Sequence, residues 1–76
     1  MIFLVEYDRQ KGRIVKFKKF RNSEQIKAEN KRLEIELNLN RRKVGHEVVL
    51  LEAATENKLR RTHRRYFKSI SDIAAA

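Results

Sequence analysis

The chain has no cysteine, no proline and only two glycines. Each absence removes a class of explanation. Without cysteine, no disulfide can staple the fold and no thiolate can hold a metal. Only two histidines, His46 and His63, remain as nitrogen ligands. A structural zinc site needs about four closely spaced N, S or O ligands, and no such set is visible. Gly12 and Gly45 stand alone, so there is no glycine-rich loop to cradle a phosphate. Ser23, Ser69 and Ser71 have no base and acid arranged around them, which leaves nucleophilic catalysis without a carrier. No cofactor is expected.

Export and membrane signals are also missing. MIFLVEYDR opens with a short apolar run, but no basic region precedes it and no small-residue cleavage site follows. No stretch approaches the roughly 18 apolar residues of a membrane span. The expectation is a cytoplasmic protein with no membrane partner.

What is present is charge of mostly one sign. The 76 residues include 19 lysines and arginines against 10 acids, a net charge of +9. The excess is +5 over residues 1–21, +2 over 22–46 and +2 over 47–76, so it is spread along the chain rather than held in a tail. Such a surface favours polyanions: DNA, RNA, anionic lipid or an acidic protein partner. The length allows a single small domain, residues 1–76. A chain this short buries only about 60% of its unfolded surface, and small domains without staples often gain stability by oligomerising.

The apolar pattern predicts an α+β fold with element order β-β-α-β-α. IFLVEY (2–7) is a continuous run of strand formers, the pattern of a strand covered on both faces. RIVKFKKF (13–20) is the second strand, joined to the first by a short loop containing Gly12, the signature of a hairpin. Its lysines suit a sheet edge. Asn22 and Ser23 are candidate caps for a helix over 23–43, with Gln25 three residues after Asn22. Gly45 is the candidate left-handed residue that ends it. Within that helix LEIELNL (33–39) alternates like a strand. On a helix, Ile26, Leu33, Leu37 and Val44 share one face, while Ala28, Ile35 and Leu39 lie opposite. HEVVLLEA (46–53) is the third strand. Thr55 then caps a last helix, with Leu59, His63, Tyr66, Ile70 and Ile73 at spacings of four, three, four and three.

A right-handed crossover makes the third strand parallel to the second. With the apolar first strand central, the order is 2-1-3. The expected architecture is a two-layer sandwich, a three-stranded sheet with both helices on one face. Its other face would then expose apolar residues of the first and third strands, and a second subunit would cover them. A homodimer is the expected partner.

The most specific candidate site is KLRRTHRRYFKS (58–69). Drawn as one helix, it places Leu59, His63, Tyr66, Phe67 and Ile70 inward. Lys58, Arg60, Arg61, Arg64, Arg65 and Lys68 then point outward. Arginine forks onto phosphate oxygens, so this face suits a DNA or RNA backbone, with no visible means of reading bases. Tyr66 and Phe67 could stack bases, but their inward position favours core packing. The function expected is therefore a non-enzymatic interaction module that contacts a polyanion through its C-terminal helix. Two alternatives remain. One is a homodimeric protein–protein module with no nucleic-acid role. The other is a metal-dependent phosphodiesterase built on Asp8 and His46, which the topology brings near Tyr7 and Glu47.

Overall fold

The structure, a computed structural model, describes residues 1–67. Its elements are β1 (Ile2–Asp8), β2 (Arg13–Phe20), α1 (Gln25–Arg41), β3 (Glu47–Glu52), α2 (Glu56–Thr62) and α3 (Arg64–Phe67). The strands form one antiparallel sheet in the order β2-β1-β3. The fold is α+β with the apolar strand in the centre, as the sequence predicts. Ile70 and Ile73, expected on the last helix, lie outside the described residues, as does Lys68.

The β1–β2 connection is set by two residues. Asp8 accepts the backbone N–H groups of Gln10 (3.0 Å) and Lys11 (3.1 Å) on one side-chain oxygen. Gly12 then takes φ +64° and donates its N–H to the Asp8 carbonyl at 2.8 Å. A residue with a Cβ is strained at that angle. Beyond the turn, the register shifts: Glu6 faces Lys16, but Tyr7 faces Ile14. Val15 is therefore the extra residue of a β-bulge. Ile14 does not sit with the lysines but on the face of Tyr7 and Phe17, while Val15 is half exposed.

The arrangement of the helices also departs from expectation. Alternation along β1 sends Ile2 and Leu4 to one face and Phe3, Val5 and Tyr7 to the other. The first face packs under α1, where Ile2, Leu4 and Phe20 meet Ala28, Ile35 and Leu39. The second packs under the C-terminal helices: Tyr7 meets Tyr66 edge-on at 5.2 Å, and Phe17 meets Phe67 at 5.8 Å. The helices thus lie on opposite faces, giving three layers rather than two. The reason is that β1 is fully apolar on both sides, and Leu59, Tyr66 and Phe67 supply a second cover from the same chain. Phe3, Leu4, Val5 and Leu59 are completely buried, each such side chain contributing about 1.5–3 kcal/mol.

Residues 33–39 are helical, within α1. Their alternation reflects two stripes. Ala28, Ile35 and Leu39 are buried, whereas Ile26, Leu33 and Leu37 are 74%, 53% and 54% exposed. Both ends of α1 differ from the sequence reading. Asn22–Glu24 form a 3₁₀ turn before it, and the Glu24 carboxylate accepts the Arg21 N–H at 2.9 Å. That backbone hydrogen bond, foremost, holds the Glu24 carboxyl below its ordinary range. At the other end the left-handed residue is Lys43, at φ 56°, not Gly45. The Val44 N–H donates to the Leu39 carbonyl at 2.9 Å, the six-to-one bond of a Schellman close. Val44 is thereby drawn inward onto the core and leaves the exposed stripe.

Candidate nucleic-acid interface

The expected cationic helix is broken. Thr55 caps α2 as predicted, its hydroxyl accepting the Lys58 N–H at 3.1 Å. The helix stops at Thr62, and His63 takes φ −119°, ψ 52°. Thr62 contributes to the stop by bonding its hydroxyl back to the Lys58 carbonyl at 2.9 Å, a competitor of helical bonding. The chain restarts as α3, with Tyr66 buried and its hydroxyl donating to Glu47 at 2.8 Å. That long-range anchor, together with Tyr7, sets where α3 lies on the sheet.

The six basic residues expected on one face divide accordingly. Arg65 is held by the fold: its guanidinium donates to both Glu47 oxygens (2.7 and 3.0 Å) and to the Tyr66 hydroxyl at 2.6 Å. The hydrogen bond to Tyr66, foremost, raises its already high pKa. Arg9 reaches the same Glu47 at 3.6 Å. Arg60 lies over the Phe67 ring at 4.8 Å and pairs with Glu56 at 3.7 Å. Lys58, Arg61 and Arg64 are exposed and have no ion pair among the described residues. Lys68 lies outside the described residues.

The structure adds basic residues that the sequence reading took only as edge protection. β2 is an edge strand, and its Arg13, Lys16 and Lys18 are exposed. Lys19 is tied at 3.5 Å to Glu56 at the start of α2. This link, with the Phe17–Phe67 contact, sets β2 beside the helices that carry Arg61 and Arg64, with Arg13 and Lys19 on their side and Lys16 and Lys18, opposite Glu6 and Leu4, on the α1 side. The signal was present in RIVKFKKF, which has four cations and no acid. Only the packing joins it to residues more than forty positions later.

Between β2 and the C-terminal helices lies a cavity of about 300 Å³. Its walls include Ile14, Phe17, Tyr66 and Phe67, with Arg13 and Arg60 in the lining. Phe17 and Phe67 are only partly buried.

A second polar group sits on the α1 face. The structure brings Asp8 and His46 together, Nε2 to Oδ2 at 3.6 Å. It adds Glu6, whose carboxylate lies 2.7 Å from His46 Nδ1. Sequence reasoning missed Glu6, although its spacing of two from Asp8 places both on one face. Glu47 and Tyr7, expected in this cluster, turn to the opposite face, where Glu47 meets Tyr66. The Lys11 backbone N–H first, then that of Gln10 and the charge of His46, hold the Asp8 carboxyl below its ordinary range. Both imidazole nitrogens face carboxylates, so the ring joins the end of β1 to the start of β3. Among the described residues, no group of three or more His, Asp and Glu side chains is placed to hold a metal ion. None of their helices is long and apolar enough to cross a membrane.

Comparison with known proteins finds no matching family model, no matching curated protein and no matching solved structure.

Proposed function

We propose that the protein is a non-enzymatic module that binds a nucleic-acid backbone. The observation that carries this reading is the junction of two cation sets. Lys58, Arg61 and Arg64 on the C-terminal helices stand exposed without ion pairs among the described residues, beside an acid-free edge strand whose Arg13 lies on their side and whose exposed Lys16 and Lys18 carry the positive charge round the edge to the α1 side. Phosphate binding of this kind depends on salt, because each neutralised phosphate releases counterions. The test is a titration of labelled duplex and single-stranded oligonucleotides over a range of salt. Log affinity should fall with log salt by roughly 0.9 per phosphate contacted on duplex DNA. Replacing Arg61 and Arg64 together by Gln should flatten that slope by about two contacts. An unchanged slope sinks the reading. Arg65 is the control, since Arg65→Gln removes a bond to Glu47 and acts on the fold.

A second reading, a homodimer, has its own support. The sheet face that the sequence left for a second subunit is covered by α2 and α3. A different surface takes its place: the Ile26, Leu33 and Leu37 stripe on the outside of α1. Exposed apolar residues at helical spacing mark a helix–helix contact. α1 carries four bases against three acids, so two copies meet there with little of the repulsion the rest of the surface imposes. Sedimentation at micromolar concentration decides: a dimer that Leu33→Lys converts to monomer supports the contact, and a monomeric wild-type protein removes it.

A further inference from the structure

The geometry points to the cavity between β2 and α3 as a pocket for one unpaired nucleobase, which makes the protein a binder of single strands rather than duplex. This inference rests on the backbone-binding reading above and names the form of nucleic acid it takes.

The pocket is made by a departure from regular structure. Without the bulge, Val15 would oppose Tyr7. Because Val15 is the extra residue, it turns outward and Ile14 forms a wall. The break at His63 acts from the other side, restarting the chain so that Phe67 stands opposite Phe17. Phe17 in turn stacks on Phe3 at 5.6 Å with 25° between the rings, and Phe3 is completely buried. The aromatic wall is thus fixed in the core while its outer rings stay partly exposed.

The lining matches a base and its phosphate. A flat apolar body needs aromatic and aliphatic walls, and an attached anion needs cations beside them. Phe17, Tyr66, Phe67 and Ile14 provide the first, Arg13 and Arg60 the second. At about 300 Å³ the space is at the low end for ligand sites. It suits a single ring system and cannot admit a stacked base pair. Arg60 already lies over Phe67, so its guanidinium is held at the pocket with one ring face as support. The phosphates flanking a bound base would run onto Arg61 and Arg64 on one side and Arg13 of β2 on the other. A closed apolar core explains the cavity less well, since it would not line itself with two arginines.

The test uses the full chain. Binding of a short oligothymidylate and of a duplex with the same number of phosphates is measured by fluorescence anisotropy over a range of salt. The expected result is tighter binding of the strand. Phe67→Leu, which keeps the site apolar, should weaken strand binding by roughly fivefold to a hundredfold and leave both duplex affinity and the salt slope unchanged. Phe17→Leu gives a second reading of the same wall should the first variant fold poorly. Equal binding of strand and duplex with a steep salt slope overturns the pocket while leaving backbone binding intact. Binding of neither at low salt overturns both.

Discussion

The two faces of β1 are covered by opposite means. On one, Ile2 and Leu4 lie under a single 17-residue helix and meet aliphatic side chains. On the other, Phe3, Val5 and Tyr7 lie under a helical segment that breaks at His63, and Phe3 and Tyr7 meet aromatic rings. Hollows of about 260–280 Å³ also flank the long helix, each lined by at most one aromatic ring. The broken segment covers the centre of its face and leaves a cavity walled by three aromatic rings at the β2 side. Aliphatic packing under a continuous helix gives stability, and rings under a broken one give stability plus a surface with chemistry. On the α1 side His46 lies between the carboxylates of Glu6 and Asp8, whereas Arg61 and Arg64 on the other side face solvent.

The largest expected effect tests the α1 face. Leu4 is completely buried, so Leu4→Ala should cost about 2–5 kcal/mol. A domain of this size has about 4–11 kcal/mol in total, so the variant should lie near its unfolding midpoint in modest urea. Phe17→Leu, on the other face, should cost less than about 1.5 kcal/mol. Comparable losses in urea denaturation would erase the distinction between the faces.

A smaller effect concerns the turn that joins them. The Asp8 carboxyl is held below its ordinary range in the fold. A depressed folded pKa stabilises above the unfolded value, and that contribution disappears as pH falls through the folded one. Asp8→Asn keeps an oxygen for the Gln10 and Lys11 N–H groups but loses the charge. Wild type should therefore melt higher than the variant at neutral pH, with the gap closing as pH falls from the ordinary aspartate range to below it. Parallel melting curves across that range would show that the charge at Asp8 contributes nothing.

The sheet was legible because its determinants are local. IFLVEY is apolar at successive positions, Gly12 sits where the chain must turn back, and a lysine-rich strand belongs at an edge. α1 was legible too, since the stripes at Ala28, Ile35, Leu39 and at Ile26, Leu33, Leu37 both follow helical spacing. What escaped depends on contacts between distant residues. The break at His63 goes with Tyr66 reaching Glu47, 19 residues earlier. The bulge shifts Ile14 by a single position, which no two-residue periodicity can announce. Lys43 takes the left-handed angle because the helix closes on the Leu39 carbonyl, two residues before the glycine that ordinary preference selects. Of the candidate site, the residue types were visible, but not their division. Arg65 reads like Arg64 in sequence, and only the carboxylate of Glu47 separates a fold contact from a free cation.

The bulge at Val15 has a wider consequence. It lies on an edge strand, while the ladder between β1 and β3 runs without a register shift. The chain thus keeps its alignment reference on one side of the central strand and its irregularity on the other. Changes in length or composition on β2 can re-aim one wall of the cavity without disturbing the pairing that positions α1. The shape of the cavity and the β1–β3 pairing are, in that sense, set on different strands.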